Sequence, residues 1–166
     1  TVTYGVYGAG YSGTTNYAGY FNGNVTVTGT FSNPSDKRFK ENLSSIESPL
    51  DRILKLNTYS YNYKTTGEAS KMNFKEGKHF GFVAQEMETV FPELVSDQVH
   101  SWDEILEEGE EKKIKEHTFN YKGINYIEMI PVLTQAIKDQ HEIIRTQDSK
   151  IDQLEILVYE LKMQVE

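Results

Sequence analysis

Ile130, Ile137, Ile144, Ile151, Val158 and Val165 recur at intervals of seven, and Leu133, Gln140, Gln147, Leu154 and Leu161 follow the first five of them by three. A seven-residue apolar repeat held this long keeps one seam on one side of a helix. Only another helix, wound around the first, buries that seam well. A lone helix folded back on its own domain would leave the all-β-branched row unexplained over the last turns. The two adjacent Gln layers cost stability and fix register and strand number. Ile at the first seam position with Leu at the second leans towards two strands, yet stacked Gln side chains can close a three-fold layer too, so the pattern alone leaves stoichiometry open. The helical pattern runs from Tyr121 to Glu166 with Pro131 inside it, as a kink or as the true helix start.

The other end of the chain has a different character. Residues 1–31 hold Gly5, Gly8, Gly10, Gly13, Gly19, Gly23 and Gly29, with β-prone pieces over Tyr4–Tyr7, Tyr17–Phe21 and Val25–Phe31. Asn24 to Thr28 alternates polar and apolar as a half-buried strand does, and Asn22-Gly23 fits a tight turn. Strands this short bury too little apolar area to fold alone. Their aromatic density argues for burial against sister chains, as in a fibre shaft, over a flexible glycine linker. The chain opens mid-pattern at Thr1-Val2-Thr3-Tyr4 and reads as the C-terminal piece of something longer. Gly8-Ala9-Gly10-Tyr11-Ser12-Gly13 spells a dinucleotide-binding pattern, but Thr14-Thr15-Asn16 is no helix start, and the phosphates need a helix N-terminus.

Between the two ends lies a charged, mixed segment. Ser48-Pro49-Leu50-Asp51 predicts a short helix, with Ser48 as N-cap, Pro49 as its first residue and Leu50, Ile53 and Leu54 inward. Tyr59, Tyr61 and Tyr63 alternate as a strand with a tyrosine face. Polar Thr65 to Lys78 predicts a loop or protruding arm. His79 to Val83 predicts a strand, and Ala84 to Phe91 a helix with Met87, Val90 and Phe91 inward, stopped by Pro92. The acid-rich stretch from Asp97 predicts a solvated hairpin or loop, with weakly alternating Lys112 to Phe119 as the return strand if it is a hairpin.

Composition removes several function classes. The net charge of −8 gives nucleic acid no electrostatic attraction. With no cysteine there is no disulfide frame, thiolate metal site or cysteine nucleophile. No run of about 18 apolar residues exists to span a membrane, and no basic stretch with an apolar core marks a signal peptide. No cofactor or metal motif is present. His79, His100, His117 and His141 are scattered, without zinc spacing or a carboxylate partner at telling distance.

A serine hydroxyl needs a proton acceptor to become a nucleophile. A lysine can serve when burial or nearby cations favour its neutral form. Ser35 and Lys40 stand five residues apart, with Lys37 and Arg38 between them, just after Ser32-Asn33-Pro34 breaks the β pattern. By residue type alone this is a weak signal, since a surface charge run looks the same.

Three ordered blocks give it weight. Ser35-Asp36-Lys37-Arg38-Phe39-Lys40 resembles the Ser-Asp-x-Arg-x-Lys start of the intramolecular chaperone auto-processing domain, peptidase family S74. That domain is found in phage tailspikes and endosialidases, bacterial fibre-like proteins and myelin regulatory factor. Phe80 to Val95, with Ala84-Gln85-Glu86 and Pro92-Glu93, is similar to the family's second block. Asn125 to Lys138, with Ile130-Pro131 and Ala136-Ile137-Lys138, is similar to its helix. No motif position departs from the pattern.

The resemblance implies that Ser35 is the nucleophile and Lys40 its general base, that the Pro34–Ser35 bond is cut, and that Asp36 and Arg38 support the loop. It implies a homotrimer with Ile137, Gln140, Ile144, Gln147, Ile151, Leu154, Val158 and Leu161 at its core. It also implies a place on a virion tail fibre or bacterial surface, with the upstream fibre as partner. The expected class is α+β: a β-rich shaft end over 1–34, a small mixed domain over 35–122 and a trimerisation helix over 123–166. A non-cleaving trimerisation module is the alternative. A DNA-binding factor released from a tether, as in one branch of the family, is disfavoured by the acidic charge.

Overall fold

The computed structural model describes residues 6–11, 16–108 and 111–165. The start of the first expected strand, the Ser12-Gly13 end of the glycine motif and Glu110 lie outside the described residues, as do the side chains of Glu107, Glu108 and Glu111.

The described chain is mixed α and β, with two small antiparallel sheets and a long C-terminal helix. Helix α1 (Pro49–Ile53) leads into strand β1 (Tyr59–Tyr61), which pairs antiparallel with β2 (His79–Gly81). Helix α2 (Ala84–Val90) follows, then a 3-10 turn at Pro92–Leu94. Strands β3 (Val95–Glu108) and β4 (Glu111–Ile124) form one long hairpin, and α3 runs from Met129 to Val165.

The core gathers where α2, the base of the hairpin and the first turns of α3 meet. Met87, Phe91, Leu94, Met129 and Val132 are buried there, with Ile46, Ile53, Leu56, Phe82, Val90, Val95 and Ile124 packed around them. The α2 stripe is as expected: Met87 and Phe91 are fully buried and Val90 half-buried. Arg52 ties α1 to this knot. Its guanidinium lies 4.0 Å from the Phe91 ring centroid, donates to the Val90 carbonyl at 2.7 and 3.1 Å, and pairs with Glu93 at 2.6 Å. A flat cation over a ring, with its N–H groups spent on a helix-end carbonyl, satisfies donor and acceptor together.

The structure corrects four expectations. Residues 6–11 and 16–36 contain no strand; a single copy offers the β-prone pieces no partner strand to complete a ladder. Ser48 caps nothing with its side chain, because it sits in the left-handed region at φ 43° and ψ 45°; Pro49 does open the helix, and is itself buried. Leu54 points outward at 75% exposure, since α1 ends before it. The stretch from Tyr121 to Ile124 is strand, not helix, because the hairpin register runs from Val95–Ile124 outward. Pro131 is the third residue of α3, where its missing N–H would have had no helical partner.

Helix α3 spans 37 residues, about 55 Å at 1.5 Å per residue. It carries two apolar stripes. Met129, Val132 and Ala136 form the first and are buried against the core. The heptad seam is the second, offset around the helix. In the single chain it is open along its length: Ile130 is 61% exposed, Ile137 64% and Leu154 60%. From residue 141 onward every described residue of α3 is exposed. No helix among the described residues is long and apolar enough to cross a membrane.

Phe91→Ala is expected to cost about 3–5 kcal/mol, as loss of a fully buried ring does, while Leu54→Ala should change stability by less than about 0.5 kcal/mol. Denaturant unfolding of the two variants at equal chain concentration checks the pair. Equal losses would contradict this core assignment.

Candidate active site

Pro34 fixes its own φ and holds Asn33 extended, so the chain enters the site straight. Asp36 then stops the extension. Its backbone is extended (φ −65°, ψ 137°) and its Oδ1 accepts from the Arg38 N–H at 2.9 Å, the geometry of an N-cap. A single 3-10 turn, Lys37–Phe39, follows. It is closed by Phe39 N–H to the Asp36 carbonyl and Lys40 N–H to the Lys37 carbonyl, both at 3.1 Å. Lys40 returns to extended backbone. One tight turn between two extended residues folds the flanks towards each other, and the Lys40 Nζ donates to the Ser35 Oγ at 2.7 Å. Both side chains of this contact belong to one chain.

Arg38 closes the turn from outside. Its Nε donates to Asp36 Oδ1 at 3.1 Å and its Nη2 to Oδ2 at 2.8 Å, a two-pronged carboxylate–guanidinium fork. The fork, and then the Arg38 backbone N–H, hold the Asp36 carboxyl below its ordinary value, and Asp36 raises Arg38 in return. The sequence reading set Arg38 beside Lys40 as a destabilising cation; in the structure Asp36 engages it.

The site is local and open. Residues 24–45 are exposed, and no hydrogen bond or ion pair links them to the rest of the chain among the described residues. Pro34, Ser35, Asp36, Arg38 and Lys40 are thus brought together, while the expected core positions of the helix stand apart from them on α3. The histidines lie elsewhere. His100 is buried in the hairpin, His79 stacks on Tyr61, and His117 pairs with Glu104 at 2.8 Å and stacks on Trp102.

The second and third sequence blocks serve the fold. Glu86 accepts from the Tyr59 hydroxyl at 2.9 and 3.1 Å and from Asn57 at 3.2 Å, fastening α2 to β1. The Tyr126 hydroxyl accepts from the Phe82 N–H at 3.2 Å, fastening the lead into α3 to the end of β2. Beside them an open cleft is walled by Tyr59, Tyr61, Tyr63, Phe82 and Tyr126. Burial, then the Tyr61 hydroxyl, pushes the Tyr63 phenol up to about 12. Sequence reasoning saw the tyrosine alternation but missed its stacking partner Phe74, whose ring lies 3.8 Å from that of Tyr63. It also missed the junction of Tyr17, Tyr20 and Asn22 with the hairpin. The only sequence signal there was the aromatic density.

Residues 35–96 match the family described as chaperone of endosialidase, peptidase S74. This stretch of the chain belongs to that family, and the match opens on Ser35 itself. Over 119 residues, 70% of the chain, the sequence is 32% identical to an uncharacterized protein of Dictyostelium discoideum. The chain spans about a tenth of that protein's length.

Asp36 supplies a pH test of the turn. A carboxyl depressed in the folded form contributes its cap and fork above its unfolded value and loses them as pH falls through the folded one. The Arg38 amide resonance should therefore hold steady from neutral pH and move with an inflection below 3.8. An NMR titration reads it directly. An inflection at or above 3.8 would contradict the fork.

Proposed function

We propose that the chain is an intramolecular chaperone that brings three copies of a fibre-like protein into register and then frees itself by cutting the Pro34–Ser35 bond. The observation that carries the reading is the 2.7 Å contact between Lys40 Nζ and Ser35 Oγ, at the residue where the family match begins. In this reading residues 1–34 are the shaft end and the auto-processing domain begins at Ser35; the expected start of the trimerisation helix at 123 moves to Met129, because Tyr121 to Ile124 complete the hairpin.

In this reading neutral Lys40 takes the proton from Ser35 Oγ, which attacks the Pro34 carbonyl carbon. The C–N bond to Ser35 breaks as the proton passes from Lys40 to the departing nitrogen, leaving an ester on Oγ. Water then hydrolyses that ester, giving a carboxylate at Pro34, a free amine at Ser35 and the restored hydroxyl. Each chain turns over once. Desolvation favours the neutral amine, and the pair is exposed in the single chain, so the isolated chain is the idle form and enclosure by neighbouring copies activates it. The open heptad seam supports the trimer. Ile137, Ile144, Ile151, Leu154, Val158 and Leu161 are all exposed, with Gln140 and Gln147 as the polar layers that set strand number. Cutting after assembly removes the template and leaves the shaft held by its unfolding barrier.

Denaturing mass spectrometry of the purified chain should find a fragment beginning at Ser35. Ser35→Ala should stay whole, and Lys40→Ala should slow the cut at least about a hundredfold, the scale of a lost general base, with assembly intact in both. Ile144→Asp with Ile151→Asp should remove assembly and cutting together. A parent that assembles yet stays whole would leave only the trimerisation module. Cutting by the Lys40→Ala variant at the parent's rate would misassign the base.

A further inference from the structure

The Pro34–Ser35 bond lies in a free loop fastened at both ends. Downstream, Ile46 and buried Pro49 anchor the chain in the domain. Upstream, residues 17–22 are anchored as well, by polar contacts with the hairpin and with the 71–73 segment. The Tyr17 hydroxyl donates to Gln98 Oε1 at 2.8 Å and accepts from the Val99 N–H at 2.9 Å. The Tyr20 hydroxyl meets His100 Nδ1 at 2.6 Å. The other ring nitrogen, Nε2, lies 3.1 Å from the Lys71 carbonyl, which can only accept, so Nε2 carries the proton and Nδ1 accepts from Tyr20. Asn22 bonds the 71–73 segment three times. Its Nδ2 donates to the Lys71 carbonyl at 3.3 Å, its Oδ1 accepts from the Asn73 N–H at 2.7 Å, and its carbonyl accepts from Asn73 Nδ2 at 3.3 Å. Tyr17 and Tyr20 pack at 5.6 Å, and Tyr20 lies 5.6 Å from the His100 ring. Below them burial, then the Tyr20 hydroxyl, pushes the Tyr121 phenol up to about 12.

We propose that this junction is a latch that holds the upstream segment on the chaperone domain after the bond at Pro34 is cut, so that cutting and release are separate steps. The proposal rests on the cleavage reading for its occasion but not for its contacts. Every latch contact lies upstream of residue 24 or within the domain, and none involves residues 24–45. Breaking Pro34–Ser35 therefore removes the covalent tether and none of the six bonds that join residues 17–22 to the domain. The latch is made of two tyrosine hydroxyls and one carboxamide, of which Tyr17 and Asn22 also bond backbone groups, with His100 held in a single tautomer by its two partners. Its occupant is the chain's own residues 17–22. Release then waits for the latch to open, which gives the shaft end time to settle while the template still holds it.

The test makes the cut independently of Ser35. In the full-length Ser35→Ala chain, residues 26–30 are replaced by the recognition site of a specific protease, the loop is cut, and native gel filtration follows the upstream piece. The piece should co-elute with the domain. Asn22→Ala should speed its departure by about tenfold or more, and Tyr17→Phe with Tyr20→Phe by several-fold, since lost hydrogen bonds of this kind act at that scale. Amide exchange in the uncut chain should show the Val99 and Asn73 N–H groups protected, and selectively exposed by Tyr17→Phe and Asn22→Ala respectively. A piece that departs at once from the parent, or that stays equally long when Tyr17→Phe, Tyr20→Phe and Asn22→Ala are combined in one chain, overturns the latch. The self-cleavage reading fails separately, if the chain with Ser35 in place stays whole on a denaturing gel while the protease-cut chain still retains its upstream piece.

Discussion

The constraint on which the rest depends is the open seam of α3. A helix about 55 Å long leaves its domain with Ile137, Ile144, Ile151, Val158 and Leu161 facing water. Such a helix has little intrinsic stability in isolation, because helical stability in proteins comes mainly from packing an apolar face. Apolar patches of this extent on a polar-rimmed surface mark association. The domain beneath cannot supply the missing burial. Its core is a small cluster around Met87, Phe91, Leu94, Met129 and Val132, and the stripe of α3 that meets it, Met129–Val132–Ala136, ends where the domain ends. The two stripes divide the labour of one helix. The first few turns weld it to the domain, and the seam stays open in the single chain.

The Ser35–Lys40 turn has the opposite character. It is organised by its own residues: a cap from Asp36, a fork from Arg38 and two backbone bonds at 3.1 Å. Nothing in the domain core is needed to bring Lys40 to Ser35. The turn is preformed and exposed, with Ser35 and Lys40 paired and their surroundings still wet. On the proposed reading geometry is a property of the chain and enclosure a property of the assembly, a division that suits a bond cut once and late. The tyrosine and asparagine contacts fit that reading, since they keep residues 17–22 against the hairpin on the far side of the loop.

Much of the fold was legible in the sequence where periodicity and breakers agree. Pro49 and Pro92 bracket helices, Met87 and Phe91 fall on one face, and the acidic stretch returns as a hairpin. The heptad was legible for the same reason. Boundaries failed where tertiary pairing overrides local pattern. Tyr121 to Ile124 carry a helix-compatible sequence, but Val95 to Gln98 hold them as strand. Ser48 has the right chemistry for a cap and the wrong backbone. The shaft pieces have strand propensity and no partner in one chain. At the site, the residue types were visible, and the convergence of Ser35 with Lys40 was expected only through the family resemblance. The spacing of five closes only because Asp36 caps a single 3-10 turn, a backbone event that composition does not encode. Tyr17, Tyr20 and Asn22 were invisible as a site because their partners lie about 50 to 80 residues away.

The central claim is that the seam of α3 is covered by two further copies of the same chain. The mass of the native particle tests it most directly. Sedimentation equilibrium on the uncut Ser35→Ala chain across a wide concentration range should give three times the 19.1 kDa of one chain. A particle that remains at one chain mass throughout, or settles at two, would contradict the account.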